Sequence, residues 1–524
     1  MKASSAPRTG RSAVFVATGI LLSRLAGLVR QSLFAHYFGL SEASGAFSAA
    51  IRIPNFLNNL FGEGALSASF IPVYASLVAK GEHKEADRVA GAVASILALA
   101  VSVLVLLGVL ATPVFIDVIA PGFKGATRDL TVVLVRILFP SAGLMVMSAW
   151  CLGVLNSHHR FLVSYTAPVV WNAAMIGTLV IFGREPDLPR LAAILAWGSV
   201  VGSFLMFAVQ LPIVIKLAPS VRPVLDTSSD PVRTVVRNFT PAFISRGVVQ
   251  LSGYIDMFLA SFLDNGAKAV AAMANAQTIG LLPVSLFGIA VSAAELPAMS
   301  GVAGTDAAGA QALQRRLNSA LRQIAFFVIP SAVAFLAIGD VLAAGLFESG
   351  RFHHDDAIYV WAILAGSGVG LLASTLGRLY SSTYWALRDT RTPLRYALIR
   401  VATTTVLGFI FAIPLPRLLG IDSKWGAAGL TASAGIAGWI EMLMLRRTLN
   451  SRIGHTGLAA DFVIKVWVAA LAAAAAAWAV KLMLPPIGPR PEAIAVVVPY
   501  GLVFFAMTFA FRIPEASTAL RRWR

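Results

Sequence analysis

From Ser12 to Phe511 the sequence alternates between apolar stretches and short gaps of charge, proline and glycine. A stretch of about twenty apolar residues is what an α-helix needs to cross the hydrocarbon of a bilayer. Composition agrees: 57% of the 524 residues are apolar and 13% charged, with a mean hydropathy of +0.77. A soluble domain carries about 25% charged residues, and a disordered chain is poor in apolar ones. The expected fold class is an all-α integral membrane protein.

Segment by segment, spans are expected at 12–37, 44–78, 89–115, 130–155, 161–182, 191–215, 232–263, 267–299, 317–347, 357–384, 394–413, 425–445, 462–484 and 494–511. This gives about fourteen helices with boundaries loose by a few residues. An even count puts both termini on one side. Twenty-three Lys and Arg fall on that side, among them Lys2, Arg8, Arg11, Lys84, Arg315 and Arg447, against nine opposite, so both termini are expected in the cytoplasm. The N-terminal basic residues and apolar run resemble a signal peptide. Arg24 and Arg30 interrupt the run, however, and no A-x-A site follows, so it reads as an uncleaved first span. The net charge of +17 sits in the gaps between spans rather than on a soluble face, which excludes nucleic acid as a partner. Cys151 is the single cysteine, so no intrachain disulfide forms, and the pairs His158–His159 and His353–His354 are spaced as solvated loop residues.

The chain also repeats itself. Leu60-Phe61-Gly62 leads to Pro72, and Leu286-Phe287-Gly288 leads to Pro297; Ser23-Arg24 matches Ser245-Arg246, and Pro168 matches Pro393. Offsets of 222 to 226 residues correspond to six helices, which preserves orientation and implies a parallel duplication about a pseudo-twofold axis along the membrane normal. The expected organisation is an N-terminal lobe (1–220), a C-terminal lobe (221–455) and two additional helices (456–524), with a cleft between the lobes.

Charge placed at bilayer depth costs at least ~2.5–3.5 kcal/mol, so it is expected to face a cavity or a partner. The first span holds Arg24, Gly27, Arg30 and Gln31, with Gly27 allowing a bend or a close helix approach. In the second, Arg52, Asn55, Asn59 and Glu63 form a stripe at α-helical spacing, with Gly62, Gly64 and Pro72 as candidate hinges. The second half adds Arg246, Gln250, Asp256, Gln277, Thr278, Glu295 and Arg378. Arg136, Arg400, Glu441 and Lys465 are equally well explained as structural ion pairs or side chains reaching an interface. Arg24, Arg30 and Arg378 lie deeper, and guanidinium groups bind phosphate in bidentate fashion, so the expected ligand is a phosphate or diphosphate. No G-x-x-x-x-G-K-[ST] loop is present, which argues against ATP hydrolysis.

These residues resemble a known family. Ser23 to Arg30 (SRLAGLVR) is similar to the first-helix signature of the MurJ (MviN) lipid II flippases, members of the MOP exporter superfamily. Arg52 to Leu57 (RIPNFL), Phe61 to Ser67 (FGEGALS) and Phe70-Ile71-Pro72 resemble the second helix. Ala120 to Phe123, Arg136 to Pro140, Leu155-Asn156 with Arg160-Phe161, and Arg388 to Pro393 resemble further family motifs. The resemblance covers about the whole chain. It implies a transporter rather than an enzyme, moving lipid II (undecaprenyl-diphosphate-linked muropeptide) from the cytoplasmic to the periplasmic leaflet of the bacterial inner membrane by alternating access. Membrane lipids and other cell-wall synthesis proteins are the implied partners. It also implies that Arg24, Arg30 and Glu63 are essential and that Arg378 is the basic residue of the tenth helix, with Arg52, Asn55, Asn59 and Gln31 lining the same site.

Several positions depart from the family pattern. Gly45 stands where an acid is common, Asn58-Asn59 where a basic pair is common, and Thr278 near an arginine, with Arg52, Arg246 or Arg378 as substitutes. Asp256 resembles an acid of a sodium site, but Gly408 stands where an asparagine ligand is expected. That argues against sodium and for membrane potential or another ion gradient, with no cofactor. The alternatives are another exporter of this superfamily, for a different polyprenyl-diphosphate sugar or a drug, and a cell-wall scaffold that has lost transport.

Overall fold

A computed structural model describes residues 6–226, 228–302 and 307–521. The described residues are helical, with a lone Ser349–Phe352 bridge as the β-type pairing among them. Contacts divide the chain into two compact units, Met1–Phe262 and Leu263–Arg524.

The first unit comprises α1 (Ala6–Phe38), α2 (Glu42–Ala50), α3 (Arg52–Leu57), a π-helical segment (Asn58–Leu66), α4 (Ser67–Ala79), α5 (His83–Ile119), α6 (Gly125–Ser157), α7 (Phe161–Phe182), α8 (Leu188–Leu217) and α9 (Asp230–Ser261). The second comprises α10 (Gly266–Pro283), a second π segment (Val284–Ile289), α11 (Ala290–Val302), α12 (Ala307–Ala337), α13 (Gly339–Phe347), α14 (His354–Ala386), α15 (Arg391–Ala412), α16 (Pro414–Leu419), a 3₁₀ turn (Ser423–Trp425), α17 (Gly426–Ile453), α18 (Ala460–Met483), α19 (Pro489–Ala510) and α20 (Pro514–Arg521). Among the described residues, eleven helices are long and apolar enough to cross a membrane; α1, α9 and the helical run from Arg52 to Ala79 are outside that set. The protein is a multi-pass membrane protein.

The expected spans fall mostly in helix, and 161–182 matches α7 end for end because Arg160 and Gly183 bound it. The segment expected at 44–78 is interrupted at Ile51, between α2 and α3, and the one expected at 317–347 differs too. It breaks between α12 and α13 at Ile338-Gly339, where a Cβ on Gly339 would lie 2.5 Å from Trp361 Cδ1 and Asp340 pairs with Lys481 of α18.

Two apolar clusters hold the first unit. One joins Phe34 and Phe38 of α1, Phe47 of α2, Leu138 of α6, Trp171 of α7 and Leu195 of α8. The other joins Phe61, Phe70 and Tyr74 to Val93 of α5, Trp150 of α6 and Val235 of α9. The linker after α8 is strapped along α5. Ser220 N–H donates to Asp87 (3.0 Å), Arg88 pairs with Asp226 (2.6 Å), and a Cβ on Gly91 would meet the Arg222 carbonyl at 2.2 Å. Asp226 accepts from the Ser228 hydroxyl and N–H, and these bonds, with Arg88, push its carboxyl down to about 2.

In the second unit α14 packs on α17 through small residues, as helices must where lipid offers no hydrophobic drive to associate. A Cβ on Gly370 would lie 2.1 Å from Gly435 Cα. Helices α18 and α20 are fastened by charge, Arg322 pairing with Glu515 at 2.7 Å and covering the Phe462 ring at 4.5 Å. Leu106, Leu107, Leu110 and Val114 of α5 are exposed together, an apolar face of the kind lipid covers.

Gly370→Leu therefore costs at least the ~1–3 kcal/mol of an overpacked core, whereas Gly501→Leu, with open space around it, leaves thermal unfolding of the purified protein unchanged. The strap gives a pH prediction. Because Asp226 has a lowered carboxyl, its contribution is complete above the ordinary value near 3.8 and disappears as pH falls towards 2. A spin label at position 225 is immobile from pH 7 to 5 and gains mobility below 4, and Asp226→Asn is mobile already at pH 7.

Candidate functional site

The embedded polar residues are supported in different ways. Arg30, half-buried on α1, places its guanidinium carbon 4.7 Å from the centroid of the Trp171 ring on α7. Six residues along the helix leave Arg24 about a third of a turn away. It is exposed on the face carrying Leu21, Leu22, Leu25 and Val29, and no described contact joins the two arginines. Gln31 is buried (8% exposed). Helix α1 runs unbroken through Gly27, where a Cβ would make an ordinary contact with Asn172 Oδ1 at 3.9 Å.

The stripe expected at Arg52, Asn55, Asn59 and Glu63 assumes α-helical spacing, and the chain does not keep that spacing. From Asn58 to Leu66 it is π-helical, with i→i+5 bonds and a wider turn, so the α-period fails between Asn55 and Glu63. Asn55 and Asn59 are exposed. Arg52 instead reaches α9, where Nη1 donates to the Gly253 carbonyl at 2.8 Å and the Tyr254 hydroxyl donates back to the Arg52 carbonyl at 3.2 Å. Phe56 meets the Tyr254 ring edge-on at 5.3 Å, and half-buried Asp256 lies within electrostatic reach of Arg52. The side chains of Gly62, Glu63 and Gly64, and that of Arg246, lie outside the described residues, although their backbones are helical. Gly62 and Gly64 fall inside the π segment, and Pro72 is exposed within the continuous α4.

In the second unit Arg378 is exposed on α14, close enough to the Arg400–Glu441 pair to interact with it electrostatically. That pair, at 3.1 Å, and Lys465–Asp461, at 3.8 Å, are structural ion pairs, while Arg136 is exposed. Glu295 is bound to Arg316 at 2.6 Å. Thr278 turns its hydroxyl back to the Ala274 carbonyl, Gly45 is buried in α2, and Gly408 is buried in α15. Among the described residues no cluster of His, Cys, Asp and Glu is arranged to hold a metal ion.

Arg24 and Arg136 in the first unit and Arg378 in the second are exposed cations, and Arg30 in the first unit is held by a ring. None of the four has a carboxylate within ion-pair distance among the described residues. Sequence reasoning missed Trp171 and Tyr254. A tryptophan or tyrosine in an apolar run reads as core, and only the pairing of α1 with α7 and of α3 with α9 connects them to arginines.

A family model described as lipid II flippase MurJ matches residues 34–492. The chain belongs to this family. The MurJ lipid II flippase of Burkholderia cenocepacia is 32% identical over 448 residues, 84% of each chain. The probable MurJ of Haemophilus influenzae is 29% identical over 474 residues, covering 87% of this chain and 90% of its own. A solved MurJ structure in an inward closed conformation aligns with a TM-score of 0.78 at 25% identity, covering 95% of this chain and 98% of that one. An inward-facing MATE multidrug transporter of the MOP superfamily shares the fold alone, with a TM-score of 0.68 at 17% identity. The MurJ match takes in Arg52, Glu63, Asp256 and Arg378, whereas Arg24 and Arg30 precede it.

The α3–α9 latch is testable by itself. Tyr254→Phe keeps the ring against Phe56 and loses one neutral hydrogen bond, about 1 kcal/mol, while Arg52→Ala loses a charged one, about 1.5–3 kcal/mol. Thermal unfolding of the two purified variants should rank them in that order.

Proposed function

We propose that this protein is a lipid II flippase, carrying the undecaprenyl-diphosphate-linked muropeptide from the cytoplasmic to the periplasmic leaflet. The observation that carries the reading is the MurJ match across residues 34–492 in a chain where Arg24, Arg30 and Arg378 have no carboxylate at ion-pair distance among the described residues. Arg24, Arg30 and Arg378 take the diphosphate, with Gln31, Arg52, Asn55, Asn59 and Glu63 contributing polar surface; the sugar and peptide cross in water while the polyprenyl tail stays in lipid. It works as a transporter with no bond made or broken.

Helix α1, helix α9 and the run from Arg52 to Ala79 join the eleven spans to make fourteen, six in each lobe and two beyond, with both termini in the cytoplasm of the inner membrane. Alternating access comes from the lobes rocking, with the π segment around Gly62 and Gly64 as a point of yielding. Membrane potential or an ion gradient drives the cycle, and the glycine at position 408 disfavours sodium at Asp256. A drug exporter would bury acids to meet cationic cargo, which is the opposite of the charge seen on α1.

Expression of the native chain is expected to restore growth to bacteria depleted of their own lipid II flippase. Arg24→Ala, Arg30→Ala and Glu63→Ala, each expressed at the native level, should not. Rescue by all three would refute the site, and no rescue by the well-expressed native chain would favour the transport-inactive scaffold.

A further inference from the structure

Arg30 stands apart from the other embedded cations in what holds it. Arg400 is held by a carboxylate and Arg52 by a backbone carbonyl, while the Arg30 guanidinium lies over the face of an indole. That indole is itself fixed on several sides. Trp171 is 8% exposed, and its Nε1–H donates to Ser199 Oγ at 3.1 Å. Ser203 Oγ donates to the Ser199 carbonyl at 2.9 Å and shares a 2.6 Å hydrogen bond with Ser141 Oγ. Gly202 supplies the space, since a Cβ there would lie 3.0 Å from Trp171 Cδ1. Helices α6 and α8 thus set the ring plane, and the ring sets the arginine on α1.

We propose that Trp171 is the positioning residue for Arg30, holding the guanidinium ready for the phosphates of the lipid-linked substrate without cancelling its charge. The assignment rests on the flippase reading above. A carboxylate could fix the same side chain, but the incoming phosphate would then have to displace a fixed anion and leave it buried without its partner. An aromatic face attracts the cation through its quadrupole and occupies only one side of the plane. The five N–H donors around the rim of the guanidinium remain available for bidentate phosphate contact. The interaction is stronger where water is scarce, which is the condition at bilayer depth.

The test uses the full chain in lipid nanodiscs, titrated with lipid II. Trp171→Leu is expected to weaken binding about thirtyfold, the size of a desolvated cation–π contact, and Trp171→Phe to restore part of it. In an Arg30→Ala background Trp171→Leu should cost nothing further. Because Trp171→Leu can fail to fold, the deciding series replaces Trp171 site-specifically with mono-, di- and trifluorotryptophan. Fluorine drains the ring face with little change of size, so affinity should fall stepwise with each fluorine. A purely structural tryptophan would give a flat series, and a flat series, or additive losses in the double variant, overturns the assignment while leaving the flippase reading intact. A native chain that binds no lipid II overturns the flippase reading and the assignment with it.

Discussion

A cation embedded among apolar helices has to be solvated by something, and the choice of solvating group decides what the cation can still do. A carboxylate neutralises Arg400, and this side chain becomes a fastener. A carbonyl satisfies part of the Arg52 guanidinium and converts it into a latch between α3 and α9. Arg30 is held by a ring that carries no charge, while Arg24 and Arg378 are exposed with no carboxylate at ion-pair distance among the described residues. A buried ion pair gives up most of its outward field, whereas a cation held by a ring keeps its charge. What each arginine can still do therefore follows from its partner's chemistry rather than from depth in the membrane.

The duplication is visible at the level of the backbone as well as the motifs. Left-handed residues recur at Gly39 and Asn265, at Gly125 and Gly350, and at His159 and Arg388, with offsets of 225 to 229 residues. The helix ends before His159 and Arg388 close with the same bonds, Arg160 N–H to the Leu155 carbonyl and Asp389 N–H to the Tyr384 carbonyl. The two Leu-Phe-Gly motifs each fall in a π segment, and each turns its phenylalanine onto a neighbour, Phe61 to Phe243 of α9 and Phe287 to Phe327 of α12. An inserted residue that widens one helical turn costs regular hydrogen bonding, and such bulges recur at functional sites. Their presence at equivalent places in both halves argues for a retained device over an accident of one helix.

The helices were legible because apolar length and charged gaps are read by the same physics that folds them: α7 is bounded as Arg160 and Gly183 dictate. The arginines were legible for the same reason, as exceptions to an apolar rule. The π segments were not. A change from i→i+4 to i→i+5 bonding leaves no period of its own over nine residues, so extending α-spacing from Arg52 to Glu63 produced a stripe the backbone does not maintain. Partners across helices were equally hidden. Nothing in the order of residues couples Arg30 to Trp171 or Arg52 to Gly253, more than a hundred positions away in each case.

The two halves have diverged where it matters for charge. At the offset of the Ser-Arg match, Arg30 corresponds to Ser252, and at the offset of the proline match, Trp171 corresponds to Tyr396. The second half thus keeps an aromatic residue where its arginine is gone, and Tyr396 bonds Thr448 instead, at 2.7 Å. Arg52 corresponds to Thr278, which closes on its own helix while Arg52 reaches another. The two halves have thus kept matching backbone turns while the residues at their charged positions changed.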